Sequence, residues 1–400
     1  MEPEIIANEL TDPVILIVDD NTENLHVLGQ MLRADNCRVE FAVNGFSALE
    51  WINSRKFDMI ILDVNMPGMN GFEVGVRVKN SRHNRETPVI YLTADTDTMS
   101  LIKGFESGGL DYITKPFKRS ELLTRVRSQI RIKRANDQIR MYLTEIETKN
   151  RLINHSLKYA LEIQNAVLNS SEYDRQQLSD HFILHVPRDT ISGDFYRFYR
   201  SENKTIAAIL DCTGHGVPGA LMSILGVTLL NDIVIKEHIV QPDRIMNRLR
   251  EKIMQSLGQS DDHGIVKDGM EGSVICIDYE TGMLQYAGSF NPLMIVRDGE
   301  LIEIRADRHS IGYDEFCDSF SLKKIKVRKN DQIYLFTDGY LDQFGGKNDK
   351  RFLIRRFREL LLKIYGAPMS IQREVLLDTI IRWKGDTEQT DDILVFGICL

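Results

Sequence analysis

Residues 57–74 read FDMIILDVNMPGMNGFEV, and this stretch decides the fold of the first half of the chain. An apolar run (57–62) ends in Asp63, and a loop punctuated by Pro67, Gly68 and Gly71 follows, the sequence of a strand entering a tight turn. The same unit recurs outward from it. VILIV (14–18) and RVEFA (38–42) precede it, PVIYLT (88–93) and DYIT (111–114) follow, and helix-like sequence separates each pair. Strands that are apolar almost throughout, alternating with helices, belong to a parallel sheet covered on both faces. The expectation is a doubly wound α/β domain of five strands and five helices.

What stands at the strand ends carries the chemistry. The first strand runs into Asp19 and Asp20, the third into Asp63, the fourth into Thr93 and the fifth into Lys115-Pro116-Phe117. Open α/β sheets place their sites at these carboxyl ends. Three carboxylates gathered there repel one another unless a hard cation neutralises them, and Mg²⁺ suits all-oxygen ligands. Such a site holds a carboxylate nucleophile, a metal, a hydroxyl and a cation for phosphoryl oxygens. With all these elements in order, residues 12–118 resemble the receiver domain of two-component response regulators. The resemblance implies that Asp63 accepts a phosphoryl group from a sensor histidine kinase or phosphotransfer protein. It also implies that Asp19 and Asp20 share Mg²⁺ with Asp63, that Thr93 and Lys115 contact phosphoryl oxygens, and that Thr93 and Tyr112 are the switch pair.

From Arg119 to Asn169 there is neither Pro nor Gly, and Ile132, Ile139, Ile146 and Ile153 recur every seven residues, continued by Ala160 and Val167. A sustained heptad predicts a long helix (119–169) in a coiled coil, and with it a homodimer. The companion seam of Ala135, Tyr142, Lys149, Ser156 and Ile163 is poorer, which leaves open a helix lying on its own domain. Residues 119–140 hold seven basic and two acidic residues, but no helix-turn-helix or zinc pattern accompanies them. We read a solvated face and expect no nucleic-acid partner.

Beyond about Asp180 the pattern becomes strand-rich, with candidates TIAAIL (205–210), GSVICID (272–278), MLQYAG (283–288), PLMIVRD (292–298), DQIYLFT (331–337) and ILVFGI (393–398). Hairpin-like spacing predicts a mostly antiparallel arrangement, with helices after Pro218 and around 242–257, 351–364 and 370–383. Four motifs carry aspartates: ISGDFYRF (Asp194), AAILDCTGHGVPGA (Asp211), YLFTDGYLDQFGG (Asp338) and EQTDDILVFGI (Asp391-Asp392). Carboxylates at strand ends beside glycines suit two Mg²⁺ or Mn²⁺ ions. A pair of ions about 3.5–4 Å apart activates a water and clamps both ends of an in-line phosphoryl displacement.

These motifs resemble the SpoIIE-type branch of the type 2C metal-dependent Ser/Thr phosphatases over residues 180–400, which implies an αββα sandwich. By that resemblance Asp211 bridges both ions, Asp194 and the backbone carbonyl of Cys212 complete one, and Asp338 and Asp391 complete the other. Leu394 departs from the branch, many of whose members have Thr there. Two further residues carry weaker expectations: Arg188 for the substrate phosphate, and His215 as acid for the leaving oxygen, each with an ordinary surface or loop role as the competing reading.

Composition bounds the rest. Fifty Lys and Arg against 58 Asp and Glu give a net charge of −8, which disfavours attraction to nucleic acid or anionic membrane. Five scattered cysteines without a CxxC pair exclude a disulfide framework and suit a reducing cytoplasm. The opening MEPEIIANELTD is acidic and no apolar run approaches ~18 residues, so we expect a cytoplasmic protein without a membrane span. The combined resemblance implies a response regulator whose output removes phosphate from phosphoserine on a STAS-domain protein of the anti-sigma-antagonist type. The rival reading is a non-catalytic adaptor of the same domain order, which would have no need of four metal ligands.

Overall fold

The computed structural model describes residues 12–94, 111–168, 178, 180–259, 268–313 and 318–400. The chain divides into two compact units, Met1–Asn150 and Arg151–Leu400.

In the first unit β1 (Val14–Val18), β2 (Arg38–Ala42), β3 (Met59–Asp63), β4 (Val89–Thr93) and β5 (Asp111–Thr114) form one parallel sheet of order β2-β1-β3-β4-β5. Alternate residues feed opposite faces, as the pleat requires. Leu16, Val18, Ile60 and Leu62 pack on α2 (Gly45–Ser54) and α3 (Gly71–Lys79) through Ala48, Ile52, Val74 and Val78. Ile15, Ile17, Ile61 and Ile90 pack on α1 (Thr22–Arg33) and on the start of α4 (Arg119–Leu168) through Leu25, Leu28, Leu122 and Val126. The doubly wound expectation holds for the described helices; the helix expected between β4 and β5 lies outside the described residues. Helix starts are chemically marked. Asn70 and Glu73 form a reciprocal capping box at α3. Gly71 is required there, because a Cβ would stand 2.2 Å from the Asp63 carbonyl oxygen.

α4 is a single helix of 50 residues, about 75 Å long at 1.5 Å per residue. Its first turns are buried in the sheet. Along the heptad, Ile132, Ile139, Ile146 and Ile153 are 49%, 55%, 53% and 56% exposed, so the apolar seam faces away from this chain's own cores. At its far end Val167 and Leu168 pack against the core of the second unit.

The second unit is a sandwich of two antiparallel sheets with helices outside each. One sheet orders β13 (Lys323–Lys326), β10 (Met283–Ser289), β9 (Met270–Asp278), β8 (Lys204–Cys212) and β7 (Phe195–Ser201). The other orders β12 (Glu300–Ile304), β11 (Leu293–Arg297), β14 (Gln332–Phe336), β17 (Ile393–Cys399) and β6 (His181–Val186). Ala207, Ile209, Ile275 and Leu284 meet Ile295, Ile333, Leu335 and Phe396 between the sheets. The other faces of the same strands bury against α5 (Val217–Asn231) and α6 (Pro242–Leu257) on one side. On the other side they bury against α8 (Leu353–Ile364) and α9 (Met369–Lys384). A small ribbon of β15 (Phe344–Gly345) and β16 (Lys350–Arg351) follows the short α7 (Gly339–Asp342).

Two sequence expectations need amending. α5 and the π-helical turn after it (Val217–Lys236) are long and apolar enough to cross a membrane, contrary to the reading that no run approached that length. Fifty-six per cent of that window is buried inside the protein, through residues such as Val227, Leu230 and Ile233, so its apolarity serves the core. Strands β6, β12 and β13 were not foreseen; β12 and β13 are short, charged edge strands. Cys37, Cys212 and Cys276 are in no disulfide, and Cys317 lies outside the described residues.

Candidate functional site

Strands β1, β3, β4 and β5 of the parallel sheet deliver polar groups to its carboxyl end. One carboxylate oxygen from each of Asp19, Asp20 and Asp63 lies within 4.8 Å of the others. Lys115 Nζ stands 2.9 Å from Asp19 Oδ2 and 2.9 Å from Asp63 Oδ1. Its backbone N–H donates to the Thr93 carbonyl at 2.8 Å, tying the ends of β4 and β5 together. Asn24 steadies Asp19 through Nδ2, 3.1 Å from both oxygens. Burial pushes the Asp63 carboxyl above its ordinary range; Lys115 opposes this, and the charges of Asp19 and Asp20 add to it. A divalent cation among three such oxygens would favour their ionised forms. Thr93 is buried beside this cluster on the neighbouring strand end. Tyr112 is half-buried on β5 with the Arg125 guanidinium 5.9 Å from its ring centroid.

The second group of carboxylates sits where β7, β8, β14 and β17 converge. Asp194 precedes β7, Asp211 and Cys212 end β8, Asp338 follows β14, and Asp391 precedes β17. They form a chain of contacts rather than a single knot. Asp194 touches Asp211, and Asp211 touches Asp338. Asp338 in turn feels the charge of Asp391. Burial, then the neighbouring carboxylates, pushes all four above the ordinary carboxylate range. Asp194 is 1% exposed, and Thr337 Oγ1 donates to its Oδ2 at 2.7 Å. Asp194 Oδ1 and Asp338 Oδ1 are buried with no hydrogen-bond donor. Buried anionic oxygens without donors, facing other carboxylates, are costly unless cations fill the space between them. This donor set, all hard oxygen, fits Mg²⁺ or Mn²⁺.

Local sequence explains the close approach. At Gly193 a Cβ would lie 2.9 Å from the Gly214 carbonyl oxygen and 3.5 Å from that of Cys212, so glycine lets the Asp194 segment close on the Cys212 loop. In that loop Gly214 and Gly216 take φ of +85° and +66°, the left-handed region where glycine carries no Cβ penalty. Thr213 pins the loop from the other side through its N–H to the Gly269 carbonyl, 3.0 Å, and its hydroxyl to Asp268, 3.1 Å.

Arg188 and His215 stand at the rim, and the charges of both are felt at Asp391. Arg188 Nη1 donates to the Thr390 carbonyl at 2.9 Å, which spends one of its five donors. His215 Nδ1 lies 2.9 Å from Asp189 Oδ2.

Several supporting residues were not foreseen. Asp392 accepts from the Arg188 and Gly193 backbone N–H groups at 2.7 Å each, so the second Asp of the pair holds the Asp194 segment while the first faces Asp338. Gln164, near the end of α4, donates to the Ser192 carbonyl at 2.6 Å and to Ser223 Oγ at 2.9 Å. Glu271 lies opposite Asp211 in the β8–β9 register, and burial with the Asp338 charge lifts it to about 6.

Comparison with known proteins matches these two centres to two families. A response regulator receiver domain model matches residues 15–127, and the model for Stage II sporulation protein E (SpoIIE) matches residues 201–400. The DNA-binding response regulator MtrA of Mycobacterium tuberculosis is 38% identical over 117 residues, 29% of this chain and 50% of that protein. This chain thus spans about half the length of the MtrA relatives it matches. The heme response regulator HssR of Staphylococcus haemolyticus is 32% identical over 193 residues, 48% of this chain and 83% of that protein. Among solved structures, the SiaA-PP2C domain of Pseudomonas aeruginosa superposes with a TM-score of 0.58 at 28% identity, covering 63% of this chain and 98% of that one.

Proposed function

Because the chain belongs to the SpoIIE family and joins that domain to a receiver, as a response regulator with a phosphatase output, we propose that phosphorylation of Asp63 controls metal-dependent hydrolysis of phosphoserine on a partner protein. The observation that carries the reading is the group of four neighbouring carboxylates, in which the buried oxygens Asp194 Oδ1 and Asp338 Oδ1 lack any donor. An adaptor would gain nothing from burying such a group, which destabilises the fold unless cations bind.

In this reading Asp211, with Asp194 and the Cys212 carbonyl, would hold one Mg²⁺ or Mn²⁺ ion, and Asp211, with Asp338 and Asp391, would hold a second. Such ions, when bound, lower the pKa of water and neutralise charge on the phosphoryl group. The protein's part is positional. Thr337 and Asp392 fix Asp194 and its segment, so the ligand oxygens do not reorganise during the reaction. Arg188, anchored by Thr390, offers its remaining donors to the phosphoryl oxygens. The substrate we infer is a phosphoserine on a STAS-domain protein, on the strength of the family resemblance. The test is hydrolysis of a phosphoserine-bearing STAS protein and of p-nitrophenyl phosphate with Mn²⁺, before and after beryllofluoride treatment. No turnover of either substrate in either state would favour the adaptor.

At the receiver site Asp19, Asp20 and Asp63 would hold Mg²⁺, and Asp63 would take the phosphoryl group from a histidine kinase or phosphotransfer protein, with Thr93 and Lys115 on its oxygens. Asp63→Asn should stay unlabelled by acetyl phosphate, and Asp20→Asn should label poorly. Intact mass spectrometry decides: stoichiometric labelling of the Asp63 variant contradicts the assignment.

A further inference from the structure

At the end of β10, on the edge of the sandwich that carries Asp211, a turn is held in a conformation its sequence does not favour. Phe290 has φ of +58°, in the left-handed region, and no other Phe, Tyr or Trp among the described residues does so. A turn that needs this conformation ordinarily takes Gly, Asn or Asp, because a Cβ with a bulky side chain is strained there. Burial does not account for the choice either, since Phe290 is 45% exposed. The surroundings leave the turn no alternative. The Phe290 N–H donates to the Asp307 carbonyl at 2.8 Å, and the Asn291 N–H to the Ser289 carbonyl at 2.6 Å. The Asn291 carbonyl accepts from Tyr286 Oη at 2.7 Å and from Ser273 Oγ at 3.1 Å. Gly288 makes room for that phenol, because a Cβ there would stand 2.0 Å from Tyr286 Oη. A second cost lies beside the first. Asn291 is 6% exposed, and its buried Nδ2 finds no acceptor among the described residues. A strained backbone and an orphaned amide in adjacent residues, both over-determined by their neighbours, are the mark of a site shaped for a ligand.

The strand register places this turn. Asp211 pairs with Glu271 across β8 and β9, and Gly272 pairs with Ser289 across β9 and β10. Phe290, next after Ser289, therefore stands two strands from Asp211 at the same edge, about 10 Å away at ~4.8 Å per strand. An extended peptide advances ~3.3 Å per residue, so that distance is about three residues of a bound segment. We propose that Phe290 is a specificity-determining residue, whose ring covers an apolar side chain about three residues from the phosphoserine of the partner protein. The inference rests on the phosphatase reading above and adds to it a requirement on the substrate's sequence. A half-exposed ring gains by losing its remaining water contact to an aliphatic side chain, which is what an aromatic held outward at a cost in backbone strain can supply.

The experiment measures kcat/KM with Mn²⁺ and the full chain on three phosphoserine peptides. They carry Leu, Lys or Ser at the third position on either side of the phosphoserine and otherwise match. Wild type should prefer the Leu peptide to the Ser peptide about 10-fold, the low end for one apolar contact, chiefly through KM. Phe290→Ala and Phe290→Gly should each bring that preference to about one, and Phe290→Tyr should keep most of it. p-Nitrophenyl phosphate, which offers no such side chain, reports on the metal centre by itself. Thermal melts separate this role from a structural one. Phe290→Gly should melt about 2–4 °C above Phe290→Ala, because glycine alone is at ease with positive φ, while both lose the preference equally. A loss confined to Phe290→Ala would follow stability and overturn the inference. So would a Leu preference that survives both variants, a stronger preference for Lys, or turnover of p-nitrophenyl phosphate with no Leu preference in wild type; each leaves the phosphatase reading intact. If wild type hydrolyses neither the peptides nor p-nitrophenyl phosphate, that reading falls and this one with it.

Discussion

Asp211→Ala is expected to abolish Mn²⁺-dependent hydrolysis, to below about one-thousandth of wild type, while the metal-free protein becomes more stable. Asp211 is the middle member of the carboxylate chain, in contact with both Asp194 and Asp338. Removing it takes away the group proposed to lie between the two ions, and single electrostatic contributions at reacting centres are already worth ~10²–10³. Stability moves the other way for a simple reason. Without cations, burial and mutual repulsion raise these carboxyls well above their ordinary range, so each charge weakens the fold near neutral pH. Deleting the central one relieves both neighbours, and a gain of ~1 kcal/mol corresponds to about 2–4 °C in a domain of this size. Thermal melts with and without Mn²⁺ check both halves. Wild type should gain stability from Mn²⁺ and the variant should not. Turnover like wild type in Asp211→Ala, or in Asp338→Ala, would sink the two-ion mechanism and restore the adaptor.

The sequence announced the first unit plainly because its candidate site residues, Tyr112 apart, sit where an apolar strand stops. Asp63, Thr93 and Lys115 each mark a change from buried run to loop, and parallel strands must bring those changes to one edge. The aspartates of the second unit were legible for the same reason. What holds them was not. Thr337 reaches Asp194 across 143 positions, and Asp392 reaches Gly193 across 199. Glu271 meets Asp211 only through the register of β8 on β9. Pairings of that range depend on how two sheets stack, which no local pattern records. Asp189 illustrates the limit from another side. In PRDTISGD it reads as one more loop carboxylate, and only the fold of the Gly214–Gly216 loop brings His215 against it. The edge strands β12 and β13 escaped because their charges, which discourage pairing with other chains, also mimic loop sequence.

Replacing both Ile139 and Ile146 with Asp should halve the mass measured by light scattering and remove any difference in activity between beryllofluoride-treated and untreated protein. Ile132, Ile139, Ile146 and Ile153 recur every seven residues along α4, and no core among the described residues covers them. The expectation is that a second copy of the helix covers them, since the heptad would match its own repeat and each fully buried Ile would contribute ~1.5–3 kcal/mol. The companion seam, with Lys149 and Ser156, keeps that pairing modest, so two buried aspartates should suffice to break it. Responsiveness should fail with it because of where α4 ends. Gln164 donates to the Ser192 carbonyl and to Ser223, and its own oxygen accepts from the Ser192 N–H at 3.3 Å. Ser192 is two residues from Asp194. A rotation or register shift of the paired helices would therefore reach the backbone that presents Asp194, without a moving loop in between. A marginal pairing serves such a switch better than a tight one, because two packings of similar free energy can be exchanged by the small energy of one phosphoryl group. A variant that remains dimeric shows that the seam is not the interface. A monomeric variant that still responds shows that α4 is only a tether, and that the signal reaches Asp194 by another route.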